Sequence, residues 1–277
     1  MKFIDRSTLA PWSLTETRMV SSLPPELLDL IVDHLRDEPI ALKACCLISK
    51  SWLHRTRSHI FADVKFDGRS ASIESWMRAF PDPSSSPAHY ARSLSICDLK
   101  SVTTAVTDAR TWIHSFRHLV HLGVDTNKAR IDPDVSLVPL QRLSPTLKSL
   151  HLHCRYISLP VALALICSFP LLEDLKVVCI SIGGNTDRWN TPTSPKFTGR
   201  LALIGRVDPI ARGLLDLPGG LHFAEIKVWC PDHHAKSVMG LVSRCSGTLE
   251  YLCINFGFLS GGFCPYSVVD KCLTTTL

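Results

Sequence analysis

The stretch LKSLHL, residues 147–152, carries an apolar side chain at its first, fourth and sixth positions. The same template returns as ARSLSI from Ala91, LVHLGV from Leu119, LEDLKV from Leu172, TGRLAL from Thr198, FAEIKV from Phe223 and LEYLCI from Leu249. Successive starts lie 28, 28, 25, 26, 25 and 26 residues apart. Alternation of apolar and polar residues over a short run predicts a strand with one buried face. Its return at a near-constant period predicts a repeat architecture, in which each unit buries its apolar side against the next.

Between these strands, apolar residues fall at helical spacing. The sets are Ile73, Trp76, Met77, Phe80; Ala109, Trp112, Ile113, Phe116; Ala162, Leu165, Ile166, Phe169; and Val238, Leu241, Val242, Cys245, with Pro265, Val268, Val269 and Cys272 repeating the pattern in the tail. The connections near 133–144 and 207–217 are less regular. GGNTDRWNTPTSPKF, residues 183–197, is too rich in Gly, Pro and Thr for a helix and predicts a loop.

Strand, turn and helix at this period resemble the leucine-rich-repeat family in its longer, helix-containing form. The resemblance implies an α/β solenoid with parallel strands on a concave face and helices on a convex one. The sequence departs from that family where an asparagine or cysteine is expected eight residues after each start. Cys154, Cys179 and Cys230 instead lie seven after, and Cys97 six after, which predicts inward thiols at the strand-to-helix corners. Within each template the fourth and sixth residues point inward, so the third, fifth and seventh face the concavity. His121, Asp125, Ser149, His151, His153, Asp174, Lys176, Arg200, Lys227, Trp229, Tyr251 and Asn255 are thereby placed on that face. Trp and Tyr beside Lys and Arg are the residue types that dominate protein-binding hot spots. His121, His151, His153, Lys176, Arg200, Lys227, Trp229 and Tyr251 are the candidate target contacts.

Ahead of the repeats, SSLPPELLDLIVDHL at residues 21–35 predicts a helix that starts at its prolines. Proline is tolerated in a first turn, where its missing N–H has no partner to lose. Glu26 suits the positive end of the helix dipole. Leu27, Leu30, Ile31 and His34/Leu35 then recur at helical spacing, and the DEP run before Pro39 ends the helix. IALKACCLIS and SKSWLHRTRSHIF predict two more short helices, the last with Ser49 or Ser51 as N-cap. Three helices in so short a segment make a poor core of their own. Surplus apolar surface on them fits docking to a second polypeptide.

Residues 23–61 resemble an F-box. The family pattern is supplied by Leu23, Pro24, Glu26, Leu27, Ile31, Leu35, Leu42, Leu47, Ser49, Lys50 and Trp52, in order, with Ile48 where the family commonly has valine. The resemblance implies docking on the Skp adaptor of a cullin–RING ubiquitin ligase, with Leu23, Pro24, Leu27, Ile31, Leu35, Leu47 and Trp52 as adaptor contacts. The implied whole is a non-catalytic substrate receptor: a disordered segment 1–20, an F-box over 21–62, a linker helix and loop over 63–90 that caps the solenoid, and about seven repeats over 91–277. PDPSSSP at 81–87 is expected as a surface loop, and the chain stops at KCLTTTL, where an eighth strand would begin. That end belongs either to a truncated product or to a surface covered by a partner.

Composition narrows the alternatives. A net charge of +5 without a dense basic run does not favour nucleic acid. No stretch approaches the length of a membrane-spanning apolar helix, and the N-terminus, with Asp5 and no apolar core, does not resemble a secretory signal. Eleven cysteines without such a signal predict free thiols in a cytosolic or nuclear protein, and no C-x-x-C pair points to zinc. The HLH run at 151–153 followed by Cys154, and the pair His233–His234, are the enzyme-like signals. Alternation places His151 and His153 on the face opposite Cys154, so no catalytic set, metal or cofactor is expected. A non-degradative binding scaffold is the nearest alternative, and a Cys/His metalloprotein or hydrolase the more distant one.

Overall fold

The computed structural model describes residues 24–67, 73–97, 113–125, 138–143, 145–183, 196–230, 235–256 and 275–276. The chain divides into two compact units, Met1–Ile60 and Phe61–Leu277.

In the first unit, α1 (Pro25–His34), α2 (Pro39–Ile48) and α3 (Lys50–Ile60) follow one another closely, and α3 packs against both others. Proline opens α1 and α2. Ser49 enters α3 as expected of a cap, its Oγ accepting from the Ser51 N–H at 3.3 Å. Only Val32, Leu42, Cys45 and Thr56 are buried among the described residues of this unit. With so little apolar burial, a polar clamp joins α1 to α3. Asp33 accepts from Arg55 Nε at 2.6 Å and from Arg55 Nη2 at 2.5 Å, and lies 2.7 Å from His59 Nε2.

The second unit is a nine-stranded sheet whose strands stand in chain order. They are β1 (Asp63–Phe66), β2 (Ser93–Ile96), β3 (His121–Asp125), β4 (Ser149–Ser158), β5 (Asp174–Gly183), β6 (Phe197–Gly205), β7 (Leu221–Cys230), β8 (Tyr251–Phe256) and β9 (Thr275–Thr276). Between them lie α4 (Ile73–Ala79), a 3-10 turn (Pro87–Tyr90), α5 (Val138–Gln141), α6 (Leu159–Cys167), α7 (Asp208–Leu215) and α8 (Ala235–Cys245). All pairings from β1 to β8 are parallel. The register reproduces the sequence period: Leu94, Leu122, Leu150, Leu175, Leu201 and Ile226 pair in line and are all buried. Ile96, Val124, Leu152, Val177, Leu203 and Val228 form a second buried line. The helices complete the core on that side, α6 against β4, α8 against β7, and α6, α7 and α8 against one another in order.

Where the chain enters a strand, the previous unit holds it by its main chain. The carbonyls of Ala62, Arg92, Val120 and Lys148 each accept two N–H groups from the following strand's start. A threonine adds a bond at the entry to β4, Thr146 Oγ1 to the Leu119 carbonyl, and another ahead of β8, Thr248 Oγ1 to that of Phe223. Phe61, Phe66, Trp76, Phe80 and Phe116 form an aromatic cluster at the β1 end, with Trp76 ring centroids 4.9 Å from Phe80 and 5.8 Å from Phe61. Through it Trp76 of α4 meets Phe66 of β1 and Phe116, which precedes β3.

Several expectations are corrected. The sheet begins at Asp63, not at residue 91: FADVKF obeys the strand template from Phe61, with Val64 and Phe66 buried. Residues 208–215 form a helix whose buried Ile210, Ala211 and Leu214 lie at helical spacing, with a proline in its first turn. Thr198 is exposed, and Phe197 fills the apolar place expected of it, because the register shifts between Gly199 and Arg200. Cys154 and Cys179 do not mark corners. β4 and β5 run on past them, and the two pair in register as buried strand residues. In PDPSSSP, Ser86 and Pro87 are buried, Ser86 Oγ accepting from the Ala88 N–H at 3.2 Å. Thr275–Thr276 does join the sheet, but antiparallel to β8. The helical residues expected at 109–112 and 265–272, and most of the loop expected at 183–197, lie outside the described residues.

Gly205 closes β6 at φ 95°, and a Cβ there would meet the Cys179 carbonyl oxygen of the neighbouring strand. Gly205→Ala is expected to cost about 2 kcal/mol or more, seen as a fall of roughly 4–8 °C in the sheet unit's melting temperature. The Arg55 guanidinium, and after it His59, hold the Asp33 carboxyl well below the usual carboxylate range. Because that pKa is depressed on folding, the clamp's contribution is full above pH ~4 and is lost as pH falls further. Asp33→Asn is expected to weaken the helical unit by about 1 kcal/mol at pH 7, a partly exposed pair being screened by water. Hydrogen exchange over residues 25–60 of the full chain checks this, the difference between the two proteins shrinking toward pH 2.

Candidate functional site

The helical unit turns an apolar face outward. In α1, Val32 is buried and Leu28 and Leu35 are half-buried, one helical stripe packed on the unit's own chain. The neighbouring stripe is open to water, with Leu27 45%, Leu30 63% and Ile31 42% exposed. Leu27, Leu30, Ile31, His34 and Leu35 line a shallow groove. On α2, Leu47 is 88% and Ile40 83% exposed.

Of the residues implied as adaptor contacts, Pro24, Leu27, Ile31 and Leu47 are exposed, Leu35 and Trp52 are half-buried, and Leu23 lies outside the described residues. Trp52 contributes to the unit's own packing, and its indole N–H is covered without an acceptor. Ile40, and Ile48, which the sequence gives only a place in the family pattern, join this exposed apolar surface; α2 is apolar nearly all round and its pattern does not say which side is free.

The second candidate surface is the face of the sheet opposite the described helices. In-register pairing draws its side chains into lines that cross the strands. One line runs Asp63, Ser93, His121, Ser149, Asp174, Arg200, Glu225, Tyr251. The next runs Lys65, Ser95, Gly123, His151, Lys176, Ala202, Lys227, Cys253. A third runs Asp125, His153, Val178, Ile204, Trp229, Asn255. All eight candidate target contacts stand on this face. His121, His151, Lys176 and Arg200 are exposed, and His153, Lys227, Trp229 and Tyr251 are half-buried. At β8 the face closes, Cys253 and Asn255 being buried.

The charges here largely answer one another. Asp174 accepts from Ser149 Oγ at 3.1 Å and lies 3.3 Å from His151 Nε2 and 3.7 Å from Arg200 Nη2. His153 Nδ1 is 3.5 Å from Asp125. Lys227 lies 2.5 Å from Glu225 and 5.2 Å above the Tyr251 ring centroid. The hydrogen bond to Glu225 raises the Lys227 pKa and keeps the ammonium charged.

His151 and His153 stand on the open face and Cys154 in the core, the separation that strand alternation predicts. Among the described residues no three His, Cys, Asp or Glu side chains are grouped to hold a metal ion. His233–His234 lie outside them. No described helix is long and apolar enough to cross a membrane. Comparison with protein-family models, with curated proteins and with solved structures finds no match for this chain.

Burial pushes the Cys167 thiol up to about 12 and that of Cys179 up to about 11. Thiolate is the reactive form, so both are expected to resist alkylation. Iodoacetamide at pH 8 on the native chain, followed by peptide mapping, is expected to label half-buried Cys46 and to spare Cys167 and Cys179 until denaturant is added.

Proposed function

We propose that this chain is a substrate-recognition subunit of a Skp–cullin–F-box ubiquitin ligase. Its helical unit is an F-box that docks on the Skp adaptor, and its sheet unit is a leucine-rich-repeat solenoid that holds a target protein on its concave face. The chain supplies proximity and orientation, and the cullin-bound machinery moves the ubiquitin. The observation that carries this is the apolar stripe Leu27, Leu30 and Ile31, left in water by a helix whose adjacent stripe already fills the unit's small core. Monomeric proteins rarely expose such contiguous apolar surface without a partner for it, and an amphipathic helix meets a partner through just this spacing. The repeat reading is supported by the parallel pairing of β2 through β8 in chain order, in line except for the shift at Gly199/Arg200, and by the helices that accompany it on one side. The location this implies is cytoplasmic or nuclear.

The test is co-purification with the Skp adaptor. Leu27→Glu/Ile31→Glu is expected to abolish capture while leaving circular dichroism unchanged, since both side chains are exposed. Undiminished capture by that variant, or no capture by the native chain, would overturn the assignment.

A further inference from the structure

We propose that the open sheet face across β4–β7 binds an extended acidic segment of its target, one with a large apolar side chain beside its carboxylates. This rests on the reading of that face as the target-binding surface and adds the chemical class of what it takes.

Two neighbouring lines of side chains carry the inference. In the first, His151, Lys176 and Lys227 stand in register with only Ala202 between the two lysines. No carboxylate lies in that line. Lys176 is exposed and has no ion-pair partner among the described residues. The carboxylates nearest it on this face are occupied, Asp174 by Ser149, His151 and Arg200, and Glu225 by Lys227. A further anion is therefore met by the unpaired Lys176 and by the Lys227 ammonium donors that Glu225 does not take, a partly exposed pair holding only one of them.

In the adjacent line, Val178, Ile204 and Trp229 pair in register on consecutive strands, all half-buried on a face whose other lines are mostly polar. Three contiguous apolar side chains there have no role in the core, which lies on the sheet's other side. They offer a strip on which one aromatic or aliphatic side chain can lie, with Trp229 as the anchor type most often found at such sites.

The spacing suits an extended chain crossing the strands. Adjacent strands stand about 4.8 Å apart, so the Lys176 and Lys227 backbones are separated by about 10 Å. That is about one turn of an extended polyproline II chain, three residues at about 3.1 Å each, which returns side chains three apart to the same side. Ala202, between them, leaves a dip in the line for the segment's backbone. Carboxylates three residues apart would meet the two lysines, and an apolar neighbour would lie toward Trp229. Coulomb attraction at such an exposed face sets encounter and register, and burial on the apolar strip supplies most of the affinity.

The experiment is selection of a random displayed peptide library on the immobilised full chain. It is run in parallel on the native protein, on Lys176→Glu/Lys227→Glu and on Trp229→Ala, with matched circular dichroism as the folding control. Expected are peptides enriched in Asp or Glu at a spacing of three beside Leu, Phe or Trp. Their binding should weaken with salt and fall roughly tenfold or more on the charge reversal, with a loss also in Trp229→Ala. Peptides without acidic enrichment that still depend on Trp229 would overturn the acidic class while leaving the sheet face as a binding surface. Peptides indifferent to every sheet-face substitution would overturn both. Adaptor capture by the helical unit is unaffected by either result, so the two proposals fail separately. Should Trp229→Ala fail to fold, the charge reversal and the salt dependence decide alone, since both lysines reach solvent.

Discussion

The sheet unit depends on one constraint, that each strand must pair with its predecessor in a register that keeps like side chains in line. Strand side chains alternate with a period of two, so a slip of one residue would turn every buried leucine into water. The two buried lines, from Leu94 to Ile226 and from Ile96 to Val228, therefore fix the register at two positions of each strand. At the entries to β2, β3, β4 and β5 main-chain bonds hold the strand in the same place, one carbonyl of the preceding stretch receiving two N–H groups at its start. The one register shift, at Gly199, sits where Phe197 rather than Thr198 supplies the apolar side chain, and Phe197 stacks on Phe223 at 5.7 Å. The irregularity lets a bulky ring keep its place in the core when the template is off by one.

The same constraint makes the open face a surface of lines and not of scattered residues. Ordered pairing that buries leucines on one side stacks His151 beside Lys176 and Ile204 beside Trp229 on the other. Functional chemistry on such a face is thus set by which residue types occupy equivalent positions in successive units. Asp174 gathers donors from strands on both sides of it, something no single repeat contains.

The helical unit works under the opposite economy. It buries few residues and joins α1 to α3 through the Asp33, Arg55 and His59 clamp. A clamp of that kind lets a small unit keep its shape while its apolar stripe stays outside. Leu27, Leu30 and Ile31 are spared for a partner because Leu28, Val32 and Leu35 supply the internal contact.

Much of this was legible in the chain itself. The strand template from Ala91 to Leu249, its spacing, the helix opened by Pro25 and the opposite facing of His151 and Cys154 all follow from local period and turn chemistry, which need no knowledge of the partner element. Tertiary structure decided the rest. β1 escaped notice because a single short copy, FADVKF, precedes the regular series by 30 residues rather than 25–28. The helix at Asp208 carries too few residues for its period to stand out, and packing against α6 and α8 completes it. Which stripe of α1 is buried, and that Trp52 is half-covered, could not be read from spacing, since two adjacent apolar stripes have the same period and only the neighbouring helix chooses between them.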